Sequence, residues 1–211
     1  MNSYAPKPKR KPKPRTAQIS VHGKMAHNHG FLTAIGGLVV NWANNESVFL
    51  AMLQCLTKLD GPAVSVLWHS HRTSKGRLDV NARLSRQLLQ DKALIADIED
   101  VISKFSGFSR ARNFFCHATY DYGPDLSLRS ASSSTLANEG EPIRHETKRM
   151  DLATLNEINQ ASIRLAEFNR VLWGVVRRME AALGVRRSMP LGGPSDNPLP
   201  EVPPPPTETA P

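Results

Sequence analysis

The stretch FLTAIGGLVVNWANNESVFLAMLQCLTKL, residues 31–59, decides the fold, because its apolar side chains recur with the period of an α-helix. The triplet Asp60-Gly61-Pro62 ends this pattern, since glycine and proline interrupt helices. A helix with such a stripe must bury it against other helices, which predicts a helical bundle. The stripe consists of Phe31, Ile35, Leu38, Trp42, Phe49, Leu53 and Leu56.

Four further amphipathic segments follow this helix. Their spacing predicts helices over 63–71, 78–89, 91–115 and 151–183. The last helix has Asp151 as an N-cap, and its wide apolar stripe repeats every seven residues. Before it, LSLRS (126–130) and IRHETKRM (143–150) alternate weakly and predict a β-hairpin. We therefore expect an all-α protein: an antiparallel helical bundle of about five helices with a small β-hairpin insert before the last helix.

Prolines and charges mark two tails. Of the 16 prolines, four lie within 6–14 and nine within 190–211. This predicts a disordered basic Lys/Pro-rich arm at 1–17, a helical body at 18–184 and a disordered Pro-rich tail at 185–211. The net charge is +8, and much of it lies in the arm, which could contact nucleic acid or simply keep the chain soluble. The candidate nucleic-acid contacts are Lys7, Lys9, Arg10, Lys11, Lys13 and Arg15.

The cysteine pattern and the lengths of the apolar segments indicate where in the cell the protein is located. Cys55 and Cys116 form no Cys-x-x-Cys pair and no framework, which indicates reduced thiols and a cytoplasmic protein. The apolar run FLTAIGGLVV has about half the length needed to span a bilayer, so no membrane partner is expected. No Gly-rich phosphate loop is present, which disfavours a nucleotide-binding α/β fold.

The segment SRARNFFCHATYDYG, residues 109–123, contains the candidate catalytic residues Arg112, Asn113 and His117. An imidazole titrates near neutral pH and can move protons, and a guanidinium fork suits phosphate oxygens. The alternative is structural: Arg112 is solvated or pairs with Glu46, and His117 caps a helix end. Glu46 falls on the apolar stripe of the first helix, so it needs a partner or must lean out to water.

Helix geometry constrains this motif. Five residues on an ideal helix place Arg112 and His117 about 140° apart, whereas Asn113 and His117 share a face. Arg112 must therefore reach round a loosened last turn, or act across a dimer. The histidines before the first helix (His22, His27 and His29) and the pair His69 and His71 lack cysteine or acidic partners, so no metal site is predicted.

The motif and its setting resemble the HEPN superfamily of helical-bundle proteins, which are marked by Arg, a polar residue and a following His. The first helix is also similar to that of small bacterial members, where Trp and Glu recur at about the spacing of Trp42 and Glu46. The resemblance implies a homodimeric, metal-independent endoribonuclease without cofactor, commonly a toxin held by an antitoxin protein. RNA would be cut by 2′-OH attack, giving a 2′,3′-cyclic phosphate. The rival interpretation is a non-catalytic HEPN-like interaction module that binds a partner protein or nucleic acid.

Overall fold

The computed structural model describes residues 21–135 and 143–185. The predicted basic arm, with its six candidate nucleic-acid contacts, lies outside the described residues. So does the predicted Pro-rich tail from residue 186 onward. The structure therefore bears on the helical body, and the two tails remain predictions.

Five α-helices form the described body, in agreement with the predicted number. They are α1 (Val21–Thr57), α2 (Gly61–Ser70), α3 (Ser74–Leu88), α4 (Lys92–His117) and α5 (Leu152–Leu183). Side-chain oxygens of Asp60, Thr73, Asp91 and Asp151 accept backbone N–H bonds at the starts of α2 to α5. Such caps satisfy N–H groups that have no partner within the helix, which explains why the helices begin where they do. The prediction for the first helix was wrong at its start, because α1 begins ten residues earlier and includes the three histidines thought to precede it.

The predicted β-hairpin is only part of a three-stranded antiparallel sheet. The strands are β1 (Thr119–Tyr122), β2 (Leu128–Thr135) and β3 (Arg144–Arg149), in the order β1-β2-β3. The two predicted segments correspond to β2 and β3, whereas β1 was missed. This strand has four residues, directly follows α4 and is mostly exposed. It is therefore too short to show the alternation by which a half-buried strand is recognised.

The long helices form the core of the molecule. Phe105 of α4 stacks on Trp42 of α1, with 4.2 Å between the ring centroids, and also contacts Phe49 and Phe168. Later residues of α4 contact earlier residues of α1, since Arg112 also lies against Trp42. The helices α1 and α4 are thus antiparallel, as predicted for the bundle. The helices α4 and α5 are antiparallel too, because Asp97 pairs with Arg178 near one end and Phe108 contacts Phe168 nearer the other.

The pair α1 and α5 departs from the predicted antiparallel arrangement. Asn41 Nδ2 donates to the carbonyl of Ser162 at 3.2 Å, and Asn45 Nδ2 donates to that of Leu165 at 2.9 Å. The residue numbers at these contacts increase in the same direction along both helices, so α1 and α5 run parallel. A Cβ on Gly37 would meet Ser162 Oγ at 3.4 Å, so glycine permits this close approach. The parallel pair arises because both helices are antiparallel to α4.

Between Met25 and Asn45 the exposed surface of α1 is largely apolar. No charged residue occurs from Met25 to Asn45. Exposed hydrophobic side chains on this part of α1 are Met25, Leu32, Val39 and Val40. None of the described helices is long and apolar enough to cross a membrane.

Candidate active site

Arg112 lies on the core-facing side of α4. It follows Phe105 by seven residues, two helical turns, and so continues the buried stripe of α4. Its side chain is half-buried, and its Cζ lies 5.5 Å from the centroid of the Trp42 ring. A guanidinium over an indole face is attracted by the ring quadrupole. Trp42 therefore holds one face of the Arg112 side chain.

Asn113 connects Arg112 to the outer surface of α4. Arg112 Nη1 donates a hydrogen bond to Asn113 Oδ1 at 3.0 Å, and Asn113 itself is exposed. This bond uses the amide oxygen and leaves the Nδ2 donors of Asn113 without a partner among the described residues. Asn113 can thus orient the guanidinium while its own N–H groups face solvent.

His117 is the last residue of α4, and its side chain is exposed. Its imidazole makes no hydrogen bond to any residue within 21–135 or 143–185. The ring is thus not sealed in the core, and both of its nitrogens can reach a bound molecule. His117 and Asn113 are four residues apart on a regular helix and share a face.

The structure does not bring Arg112 and His117 together directly. The expected loosening of the last turn is absent, because α4 is α-helical as far as His117. The two side chains therefore leave the helix about 140° apart. Asn113 lies between these directions, bonded to Arg112 and one turn from His117. Within this chain the motif is a series of three residues rather than a converging pair.

Glu46, predicted to support the site, faces another helix. Its Oε1 accepts a hydrogen bond from Ser74 Oγ at 2.5 Å and lies 3.8 Å from Arg77 Nη1, both on α3. Arg77 also donates from Nε to the carbonyl of His71 at 3.0 Å. The alternative pairing of Arg112 with Glu46 does not occur, because the carboxylate is held by α3. Glu46 thus joins α1 to α3 and leaves the guanidinium of Arg112 without a carboxylate.

Two titratable groups that were not predicted to belong to the site lie beside the motif. Burial raises the pKa of the Cys116 thiol, while the nearby Arg112 guanidinium acts to lower it. Burial, with Cys116 and Tyr122 nearby, raises the pKa of Tyr120 to about 12. The Tyr120 hydroxyl donates to the carbonyl of Phe115 at 2.5 Å, which satisfies one of the free carbonyls at the end of α4. Both side chains are therefore protonated at neutral pH.

The sheet fixes the outer side of the same helix end. Lys148 of β3 places its ammonium 5.3 Å from the Phe114 ring centroid and bonds Glu157 at 2.6 Å. Arg110 lies 3.6 Å from Glu146 of the same strand. These contacts lie on both sides of Asn113 in the sequence, so the last turns of α4 are held by the sheet as well as by the core.

The spacing of the sequence could have revealed the role of Trp42 and the orientation of Arg112. Arg112 continues the heptad of Ile98 and Phe105, which indicates an inward-facing side chain. Among the described residues, no group of three His, Cys, Asp or Glu side chains could hold a metal ion together.

No family model matches the chain, and neither a curated protein nor a solved structure matches it. The HEPN resemblance therefore depends on the motif and the helical layout.

Proposed function

We propose that this protein is a metal-independent endoribonuclease of HEPN type that acts through Arg112, Asn113 and His117. The observation that carries the proposal is the hydrogen bond from Arg112 Nη1 to Asn113 Oδ1, one turn from an exposed His117. It places a preoriented guanidinium and a free imidazole at the same end of α4. These are the two kinds of group that phosphodiester cleavage without a metal requires.

Each residue has a distinct role in this reaction. The imidazole of His117 accepts the proton of the ribose 2′-OH as the 2′-oxygen attacks phosphorus. Arg112 stabilises the charge on the equatorial oxygens of the phosphorane, and Asn113 holds the guanidinium. The bond from phosphorus to the 5′-oxygen then breaks, and this oxygen takes up a proton. The products are a 2′,3′-cyclic phosphate and a 5′-hydroxyl end.

A homodimer would complete this mechanism. One imidazole cannot act as base and acid in the same concerted step, and two facing protomers supply two. The uncharged α1 face supports this proposal, because it would let two copies of a basic protein meet without opposing like charges. The other proposed partners are RNA, bound in part by the basic arm, and an antitoxin protein. A cytoplasmic location would suit these partners.

The test is to incubate the purified protein with total RNA in EDTA. Wild type should cleave, and His117→Ala and Arg112→Ala should each lose a factor of about 10²–10⁴. Asn113→Ala should lose less, because Asn113 positions a group rather than transferring a proton. His69→Ala is the matched control, since His69 is an exposed histidine in the last turn of another helix, α2. Helical content by circular dichroism must stay unchanged in every variant.

The alternative function is a non-catalytic interaction module that binds a partner protein or nucleic acid. The divergence of Arg112 and His117 within one protomer favours it, because a monomer offers no converging pair. If wild type leaves RNA intact, or if both variants cleave like wild type, the ribonuclease proposal is wrong. A protein that binds RNA or a partner with equal affinity in wild type and His117→Ala would then fit the module.

A further inference from the structure

Arg112 carries a positive charge that no anion among the described residues pairs with. The residue is half-buried, yet no carboxylate of the described residues lies within ion-pair distance. The carboxylate on the adjacent turn of α1, Glu46, is held by Arg77 and Ser74. A cation withdrawn from water is costly unless it is paired with an anion. In the part of the chain that the structure describes, the charge of Arg112 is therefore not balanced by an anion.

Two N–H groups at the same contact also lack an acceptor within residues 21–135 and 143–185. Trp42 is 4% exposed, and its Nε1 is buried without a hydrogen-bond partner. Arg112 Nε is likewise buried and unpartnered. Leaving a buried donor unsatisfied costs about 1–3 kcal/mol, so native proteins rarely do so without a functional reason. Both groups are donors, so an oxygen acceptor would satisfy them.

The surrounding contacts hold these donors in place. The Trp42 ring stacks on Phe105, which in turn packs against Phe49 and Phe168, so the indole cannot turn without disturbing the core. The guanidinium lies between this indole and the side chain of Asn113. Such preorganisation lowers the entropy cost of binding. The arrangement is suited to an acceptor with several oxygens.

We propose that Trp42, Arg112 and Asn113 form a binding site for a tetrahedral oxyanion of the phosphate type between α1 and α4. In this site Trp42 is a positioning residue: it holds the guanidinium so that the terminal nitrogens face the oxyanion. The free N–H groups of Asn113 supply further donors. The inference deepens the proposed function by naming the residue that orients Arg112, but oxyanion binding does not require that RNA be cleaved.

Inorganic phosphate is the probe, and the intrinsic fluorescence of Trp42 is the signal. The chain has three tryptophans, so Trp68→Phe and Trp173→Phe leave Trp42 as the only indole. Phosphate titrated at constant ionic strength should change the fluorescence saturably, whereas chloride should not. Arg112→Lys in this background should weaken phosphate at least about tenfold, because an ammonium lacks the planar fork. Arg110→Lys is the matched control, since Arg110 is an exposed arginine of the same helix.

The role of Trp42 itself is tested in the otherwise natural chain. Trp42→Phe keeps an aromatic ring against Phe105 but removes the indole N–H and weakens the cation–π contact. Calorimetric titration should show weaker phosphate binding in Trp42→Phe, with the circular dichroism of wild type. Phosphate that binds no better than chloride, or equally in Arg112→Lys and Arg110→Lys, would overturn the site. Unchanged binding in Trp42→Phe would overturn its role, whereas phosphate binding without RNA cleavage would refute only the ribonuclease.

Discussion

Glu46 on α1 and Arg77 on α3 form an ion pair, with 3.8 Å between Glu46 Oε1 and Arg77 Nη1. Both side chains are about four-fifths buried, at 21% and 18% exposed. A pair this protected from water is screened less than one on the surface. Because the Glu46 carboxylate pairs with Arg77 and accepts a hydrogen bond from Ser74, both on α3, we expect it to contribute to stability rather than to the candidate site.

Glu46→Gln should lower the free energy of unfolding by about 1 kcal/mol, since the amide can still accept from Ser74 but no longer pairs with Arg77. In a protein of this size, that corresponds to a fall in Tm of about 2–4 °C. Thermal unfolding followed by circular dichroism measures it. Glu99→Gln is the control, because its pair with Arg86 is more exposed and should matter less. RNA cleavage lost without a change in Tm would assign Glu46 to the site after all.

Cys116 should react slowly with iodoacetamide at neutral pH. Burial raises the pKa of its thiol, and only the thiolate attacks the reagent. Arg112 acts to lower the same pKa, so Arg112→Gln should raise it further and slow the reaction at any given pH. Mass spectrometry after timed alkylation measures the rate. Cys55 is buried and should stay unmodified until the protein unfolds. Rapid labelling of Cys116 at pH 7 would contradict this description of its surroundings.

Tyr120 should ionise only at strongly alkaline pH. Its pKa is raised to about 12 from an ordinary value of 10.0, so the folded protein binds the phenolic proton more tightly than the unfolded chain. The resulting stabilisation is fully present below about pH 10 and is lost as the pH rises through 12. The difference in ultraviolet absorbance between wild type and Tyr120→Phe isolates the titration of Tyr120 among the three tyrosines. Removing the hydrogen bond to Phe115 should also cost about 0.5–1.5 kcal/mol at neutral pH. Equal titration curves near pH 10 would show that the phenol is not held as described.

The uncharged face of α1 should mediate dimerisation. Val40→Glu places a charge beside Gly36, and the twofold axis of a dimer would bring two such charges close together. Wild type should be a dimer at micromolar concentration by light scattering, and Val40→Glu should be a monomer with the same helical content. Val66→Glu is the control, because Val66 is equally apolar and 73% exposed but lies on α2. A monomeric wild type would count against the two-histidine mechanism as well as against this interface.

Much of the secondary structure was predictable because its signals are local. Asp60, Asp91 and Asp151 each cap a helix a few residues away, and the apolar stripes follow the helical period within one segment. The strands β2 and β3 were found from their alternation, whereas β1 was missed. Four mostly exposed residues after a helix give too few positions for that signal. The start of α1 was missed because polar residues precede its apolar stripe.

The sequence by itself determined five helices, the strands β2 and β3 and the position of Arg112, Asn113 and His117 at the end of α4. Only the tertiary structure decided that α1 and α5 run parallel, that Glu46 pairs with Arg77 and that Arg112 makes a cation–π contact with Trp42. The physical reason is the range of the interactions. Capping and periodicity act between residues within a few positions, so they can be read from a short segment. The partner of a carboxylate or a guanidinium depends on which helix faces align after the whole core has packed.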